Sequence, residues 1–367
     1  MSAARGSPSE GSLSPLVSLI IVQYSNPEYL WQCIRSIDRL TYRNIELIIV
    51  DNGTPKVPVG EIPDVPFPVR YLPSETNLGF AGGCNRGIQE ATGEYVFILN
   101  NDIELDPQCL SVLVEIMIRD PQTGILQPKM LDLKDPQLFH SSAAGGMIDI
   151  LGYPFARGRI LGAVERDEGQ YDQSIEVFWA GGACLFARRT ALEEVGLFDA
   201  DFFLYMEEID LAWRLHLLGR YRIIYVPSAR VYHLGCPTLG RAHFLRMYYV
   251  HRNSLVMLVK NYSWMSLLWV LPGRLGMEVL TACASLVTGR WKRCHAIGKA
   301  LWYTLSHSPA ILKKRRIVQA GRRVTDRSIV ARMHWGSIAV SYLLARGDIA
   351  RLLSRIPVSH YKPRLST

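Results

Sequence analysis

Residues 45–53 read IELIIVDNG, and the reading of this stretch decides the fold. Five of its first six residues are aliphatic, which marks a strand covered on both faces. It stops at the turn Asp51-Asn52-Gly53. Upstream, LVSLIIV (Leu16–Val22) has the same character. Between the two, Asn26-Pro27 opens a helix whose apolar positions are Leu30, Cys33, Ile34 and Ile37. Downstream, Val69–Leu72 reads as a third strand and Ala81–Ala91 as a helix. YVFIL (Tyr95–Leu99) is a fourth strand that ends at Asn100-Asn101-Asp102, and Asp106-Pro107 begins a further helix. Strands alternating with helices predict an α/β fold: a mostly parallel central sheet, flanked by helices, with right-handed crossovers. In such sheets ligands lie beyond the carboxyl ends of the strands. Asp51 and Asp102 both fall there.

The remainder of the chain is less regular. Residues 132–175 carry many glycines and no sustained period, as a lid or binding segment does. Val177–Ala187 is regular again, followed by a helix near Arg189–Val195. Phe202–Leu218 turns helical near Glu208, and Ile223–Val226 and Arg230–His233 read as two short strands. From Arg241 onward the pattern is helical. Ser263–Gly289 is apolar but interrupted by Pro272, Arg274 and Glu278, whereas a spanning helix needs about 20 predominantly apolar residues. Arg290–Arg332 interleaves Lys and Arg with Trp, Leu and Ile, as helices in a membrane interface do. The expected division is a flexible tail (1–15), a catalytic domain (16–262) and a helical, basic, membrane-associating region (263–367).

Of the 367 residues, 49% are hydrophobic and 20% charged, which excludes a disordered or fibrous chain. Residues 1–240 hold 19 Lys+Arg and 30 Asp+Glu, a net charge of −11, whereas residues 241–367 hold 22 and 3, a net of +19. The basic third predicts an anionic partner, lipid headgroups or nucleic acid. The chain has no zinc-finger spacing, RNA-binding signature or recognition helix to favour nucleic acid. Its seven cysteines never form a C-x-x-C, which points to a reducing compartment.

Three patterns carry chemistry. Asn100-Asn101-Asp102 offers a carboxylate just past a buried strand, where a divalent cation bridges protein and phosphate oxygens; turns after strands also carry Asn and Asp for backbone reasons. FLYMEEIDLAWR (Phe203–Arg214) sets Glu207, Glu208 and Asp210 at a helix start, suited to a general base and, in the plainer reading, to capping. The glycine-rich entry Asn77–Asn85 suits a diphosphate against the backbone. His233 closes a strand before Gly235, where a structural role is the commoner one. Trp179, before Ala180-Gly181-Gly182, reads equally as a sugar platform or as core.

Taken in order, VDNG (Val50–Gly53), NLGFAGGCNRG (Asn77–Gly87), LNND (Leu99–Asp102), the segment from Trp179 to Phe203, FLYMEEIDLAWR and VYHLG (Val231–Gly235) resemble the family 2 glycosyltransferases of the GT-A fold, in particular the bacterial rhamnosyltransferase-like branch. The resemblance runs from about Val17 to Tyr262. It implies an inverting, metal-dependent transfer of a sugar from a nucleotide-sugar donor, with deoxythymidine diphosphate rhamnose the first expectation. The acceptor it implies is a saccharide or lipid-linked one in cell-surface polysaccharide or glycolipid synthesis. By resemblance, Asp51, Asn77, Gly79, Asn85 and Asn101 would hold the donor, and Asp102 and His233 a magnesium or manganese ion. Glu208 would be the catalytic base with Glu207 competing for the role, and Trp179 and Asp210 would face the acceptor or sugar. Asn100 stands where other GT-A enzymes carry the first Asp of D-x-D, which leaves one carboxylate for the metal. Similar enzymes work at the cytoplasmic face of a bacterial membrane, so a peripheral protein on an anionic membrane surface is expected, with no nucleic-acid partner. An inactive membrane scaffold of the same fold and a nucleic-acid-binding protein are the alternatives.

Overall fold

β1 (Val17–Gln23), β2 (Ile45–Asp51), β3 (Val69–Pro73) and β4 (Tyr95–Asn100) are parallel, in the spatial order β3–β2–β1–β4. The computed structural model describes residues 14–24, 26–53, 56–235, 243–354, 356 and 358–361; of the expected tail, residues 1–13 lie outside the described residues. Because side chains alternate along a strand, Leu19, Ile21, Leu47, Ile49, Phe97 and Leu99 point to one face. There they meet Leu30 and Ile34 of α1 (Pro27–Asp38) and Leu113 of α3 (Cys109–Arg119). Ile20, Val22, Ile48, Val50 and Ile98 point to the other face, against Ala81, Cys84 and Ile88 of α2 (Gly79–Glu90). Both faces are covered, which is why these strands are continuously apolar.

The approach of α2 is unusually close. A Cβ at Gly87 would sit 2.3 Å from Ile20 Cγ2, and one at Gly83 would sit 2.7 Å from Val22 Cγ1. Both serve helix–sheet packing, including Gly83, which lies in the stretch read from sequence as backbone for a diphosphate. Gly79, with φ of +69°, supplies the left-handed turn into the helix.

After β4 come β5 (Ile103–Leu105) and β6 (Thr123–Asp132). The segment expected as an irregular lid then folds into a small four-stranded antiparallel sheet: β7 (Gly146–Ile148), β8 (Pro154–Ala156), β9 (Arg159–Ile160) and β10 (Ala163–Val164). Strands of two or three residues leave no period to read. β11 (Ile175–Glu176) returns to the main sheet.

The main sheet is mixed on this side. β12 (Cys184–Arg188) runs antiparallel between β4 and β6. Past α4 (Arg189–Glu194) and α5 (Glu207–Leu218), β13 (Arg222–His233) lies parallel to β6 and pairs antiparallel with β5 and β11. The two strands expected at 223–226 and 230–233 are thus one, with a register shift between Val226 and Arg230. Pro227 lies inside the shift, where a missing N–H is tolerated.

The helices α6 (Phe244–Asn261), α7 (Trp264–Val287), α8 (Trp291–Ser306) and α9 (Ser308–Ala320) follow, with shorter α10 (Asp326–Val330), α11 (Ile338–Leu344) and α12 (Ile349–Leu353). β14 (Ser359–His360) then comes back to pair with β11 at the edge of the main sheet.

Candidate active site

An open cleft of about 910 Å³ lies beyond the carboxyl ends of β1, β2 and β4. One end is formed by Tyr24, Asn52, Asn77, Gly79 and Phe80. Asn52 and Asn77 are organised by one another: Asn52 Nδ2 donates to Asn77 Oδ1 at 3.2 Å and to the Gly79 carbonyl at 2.9 Å. Asn77 Oδ1 also accepts from the Gly79 N–H at 2.8 Å. Asp51 is fully buried beside them and does not line the cleft. Its carboxylate accepts from the Val57 N–H at 2.8 Å, the Gly53 N–H at 3.2 Å and the Tyr71 hydroxyl at 2.5 Å. It shapes the turn from below. Asn85 is likewise committed, closing a two-way amide pair with the Phe198 backbone at 2.8 and 2.9 Å.

The middle of the cleft is lined by Asn100, Asn101, His140, Ser141, Arg159 and His233. Asn101 Nδ2 donates to Gln23 Oε1 at 2.7 Å. Asp102 and His233, 131 positions apart, meet because β5 pairs with the end of β13: Asp102 Oδ1 lies 3.1 Å from His233 Nε2. The other ring nitrogen of His233 lies 3.1 Å from Ser141 Oγ, and His140 stands edge-on to His233 with ring centroids 4.6 Å apart. Burial, aided by the charges of His233 and Arg159, pushes His140 down to about 4. One carboxylate and one imidazole at the cleft are donors that suit a divalent cation. Among the described residues no group of three or more such side chains exists, so a bound ion would complete its sphere with substrate oxygens and water.

The far end is lined by Phe203, Leu204, Tyr205, Leu245, Arg246 and Tyr249. Phe203, Tyr205 and Met206 are non-glycine residues in the left-handed region, with φ of 64°, 68° and 71°. Each such residue costs about 1–3 kcal/mol and persists only where its surroundings impose it. Here they do. Asn253 Nδ2 of α6 is within 2.7–3.0 Å of the Phe202, Leu204 and Tyr205 carbonyls, and Arg252 Nη2 donates to the Phe202 and Asp201 carbonyls. The strained segment delivers Glu207 and Glu208 at the start of α5.

Gly182 separates Glu208 from the cleft wall: a Cβ there would be 2.9 Å from the Phe80 ring and 3.7 Å from Glu208 Cβ. Glu207 is buried and Glu208 half-buried. One oxygen of each, Oε2, accepts no hydrogen bond among the described residues. Burial pushes the Glu208 carboxyl up to about 7. Burial and the neighbouring Glu208 hold Glu207 well above the usual carboxylate range. The pair therefore retains a proton near neutrality.

Two expected site residues lie elsewhere. Asp210 faces away from the cleft, fully buried, accepting from Arg214 Nε at 2.8 Å, Lys260 Nζ at 3.0 Å and Asn261 Nδ2 at 2.8 Å. Trp179 packs over Gly146, and its Nε1 donates to the Met147 carbonyl at 2.7 Å. Conversely His140, Ser141, Arg159, Tyr205, Arg246, Tyr249 and Asn253 escaped sequence reading. The irregular 132–175 segment was the one signal for the first three.

The sequence matches the model of glycosyl transferase family 2 over residues 18–196. It is 29% identical over 290 residues to the N-acetylglucosaminyl-diphospho-decaprenol L-rhamnosyltransferase of Mycobacterium tuberculosis, covering 72% of this chain and 92% of that one. It is 26% identical over 226 residues to the poly-beta-1,6-N-acetyl-D-glucosamine synthase of Staphylococcus epidermidis, covering 61% of this chain and 51% of the synthase. The chain thus spans about half of the synthase's length. Among solved structures, S. aureus TarS 1–349 in complex with UDP-GlcNAc superposes with a TM-score of 0.52 at 15% identity, over 83% of this chain and 90% of that one. GalNAc-T7 with UDP, GalNAc and Mn2+ gives a TM-score of 0.53 at 15% identity, over 68% of this chain and 48% of that one. At that identity the likeness carries the fold: the GT-A sheet and its flanking helices.

Proposed function

We propose that the chain, matched by the family 2 glycosyl transferase model over residues 18–196, is an enzyme of that family that inverts the anomeric centre of a nucleotide-sugar donor while passing the sugar to a saccharide carried on a lipid diphosphate. Rhamnose from deoxythymidine diphosphate rhamnose is the first-choice donor, supported by the mycobacterial relative's coverage of nearly its whole length. The observation that carries the proposal is the glutamate pair with hydrogen-bond-free oxygens, set behind Gly182 and Phe80 of a cleft that His233, 3.1 Å from Asp102, also lines.

In this reading the nucleoside lies at the Asn52–Asn77–Gly79 end. Asp51, expected to touch the base or ribose, acts through the turn it holds. Asn101 and Arg159 face the diphosphate. Asp102 and His233 would hold a magnesium or manganese ion, which when bound neutralises charge on the departing diphosphate. Arg246, stacked over the Tyr205 ring at 5.4 Å, and Tyr249 receive the acceptor. Glu208, the more accessible of the pair, takes the proton of the acceptor hydroxyl as that oxygen bonds to the anomeric carbon. The bond from that carbon to the phosphate oxygen breaks, and its electron pair leaves with the nucleoside diphosphate. A single displacement of this kind inverts the centre. The enzyme works on the inner face of the cell membrane, where such an acceptor is presented.

The test is release of nucleoside diphosphate from deoxythymidine diphosphate rhamnose, UDP-hexoses and GDP-mannose, with manganese and with chelator. Metal-dependent release from one donor, lost in Asp102→Ala, is expected. Near-normal turnover by Glu208→Gln, or no release from any donor, would sink the proposal.

A further inference from the structure

α7 is amphipathic the wrong way round for a protein in water. At 100° per residue, Leu267, Val270, Arg274, Glu278 and Ser285 share the face that packs inward. Its only two charged residues are on that face: Arg274 is 1% exposed and Glu278 0%. Arg274 donates to Glu278 Oε1 at 3.0 and 2.6 Å, to Ser254 Oγ of α6 at 2.7 Å and to the Leu151 carbonyl at 2.9 Å. His251 of α6 lies 2.8 Å from the other Glu278 oxygen. The opposite face carries Trp264, Met265, Leu268, Trp269, Val279, Leu280, Cys283 and Val287, all exposed, with Leu268 at 72% and Val287 at 88%. No charge interrupts it along a helix of 24 residues, about 36 Å.

An apolar strip of that length marks a surface that meets something other than water. The charge beside it says what. Arg290, Lys292 and Arg293 follow the end of α7 around an exposed Trp291, within a region whose net charge is +19. Basic residues flanking an apolar, Trp-bearing face complement anionic headgroups over acyl chains. We propose that the outward face of α7 lies in the interface of an anionic bilayer, along the membrane plane and not across it. Crossing is opposed by the same ion cluster. Arg274 and Glu278 sit at mid-helix, tied to α6, and a crossing would carry those charges and their hydrophilic partners into hydrocarbon. α7 is also the one helix among the described residues with the length and hydropathy to cross. The inference holds whatever sugar or acceptor the cleft takes.

Flotation with phosphatidylglycerol/phosphatidylcholine vesicles tests it, using the full chain and the double variant Leu268→Glu/Leu280→Glu. The wild type is expected to float at low salt with the anionic vesicles, far less with phosphatidylcholine alone, and to be stripped by alkaline carbonate. The double variant should lose at least ~10-fold of the floated fraction while keeping donor hydrolysis and unfolding temperature without vesicles. Hydrolysis thereby reports separately on the proposed reaction. Failure to float, equal flotation of the double variant, indifference to lipid charge, or resistance to carbonate (a crossing helix) would each overturn it. So would a lipid-free dimer that the double variant splits, because the face would then belong to a second copy.

Discussion

The first turn of α5 holds three carboxylates in two settings. Glu207 and Glu208 sit in the dry wall behind the cleft with an oxygen each left without a hydrogen bond, and both are pushed up. Asp210, on the underside and fully buried, is held below the usual carboxylate range. Its burial is outweighed by Lys260, Arg214 and the Asn261 amide. The most buried of the three is the one that stays ionised. Charged partners, not the degree of burial, decide which acid keeps a proton near neutrality and which does not. A group left without partners is available for chemistry, and one surrounded by cations is structural.

The contrast can be broken from either side. Glu208→Gln should lower transfer by about 10²–10⁴-fold, the scale of general-base catalysis, with the folded yield unchanged; steady-state rates and circular dichroism check both halves. Asp210→Ala should do the reverse. It takes from Arg214 its carboxylate and from Lys260 one of two, Asp199 remaining 2.5 Å away, so urea unfolding should show a loss of about 3 kcal/mol, while the folded fraction keeps its specific activity. Asn253→Ala lies between them. Freeing the Phe202, Leu204 and Tyr205 carbonyls lets the strained segment relax and misplaces Glu208, which should lower kcat by roughly 10–100-fold with little change in donor KM. The smallest effect is in pH. The Glu208 carboxyl, raised from its ordinary 4.5 to about 7, binds its proton more tightly folded than unfolded. Its contribution to stability is complete below about 4.5 and lost as pH rises through about 7. The melting temperature of wild type relative to Glu208→Gln should therefore fall across that window. The transfer rate, which needs the ionised form, should rise across it.

Legibility followed the range of the interaction. β1 to β4, α1 and α2 were readable because continuous apolar runs and helical spacing are local. Asp102, His233 and Glu208 were singled out together through motif order, and the contact between Asp102 and His233 was not legible: β5–β13 pairing, a long-range event, creates it. Asp51 and Asn85 stand at the expected rim, yet their side chains are committed to Tyr71 and Phe198, which no spacing reveals. Asp210 and Trp179 were chosen by type, and their partners (Lys260, Met147) lie far along the chain. β12 and β13 showed as regular segments at 177–187, 223–226 and 230–233, but the mixed directions of their pairing, the four short strands of the 146–164 segment and the Asn253 clamp left no local trace. The glycines of α2 were legible as glycines, and their use was not: two meet the sheet, and one turns the chain.

One pairing bears on how the chain is made. β14, at residues 359–360, completes the edge at β11, residues 175–176. On the ribosome that edge must wait, uncapped, until the entire helical region has emerged. During that interval its free N–H and C=O groups are open to another nascent copy. Shortening the chain before Ser359 would make the interval permanent, so yield of soluble protein, more than catalysis, is what such a truncation should cost.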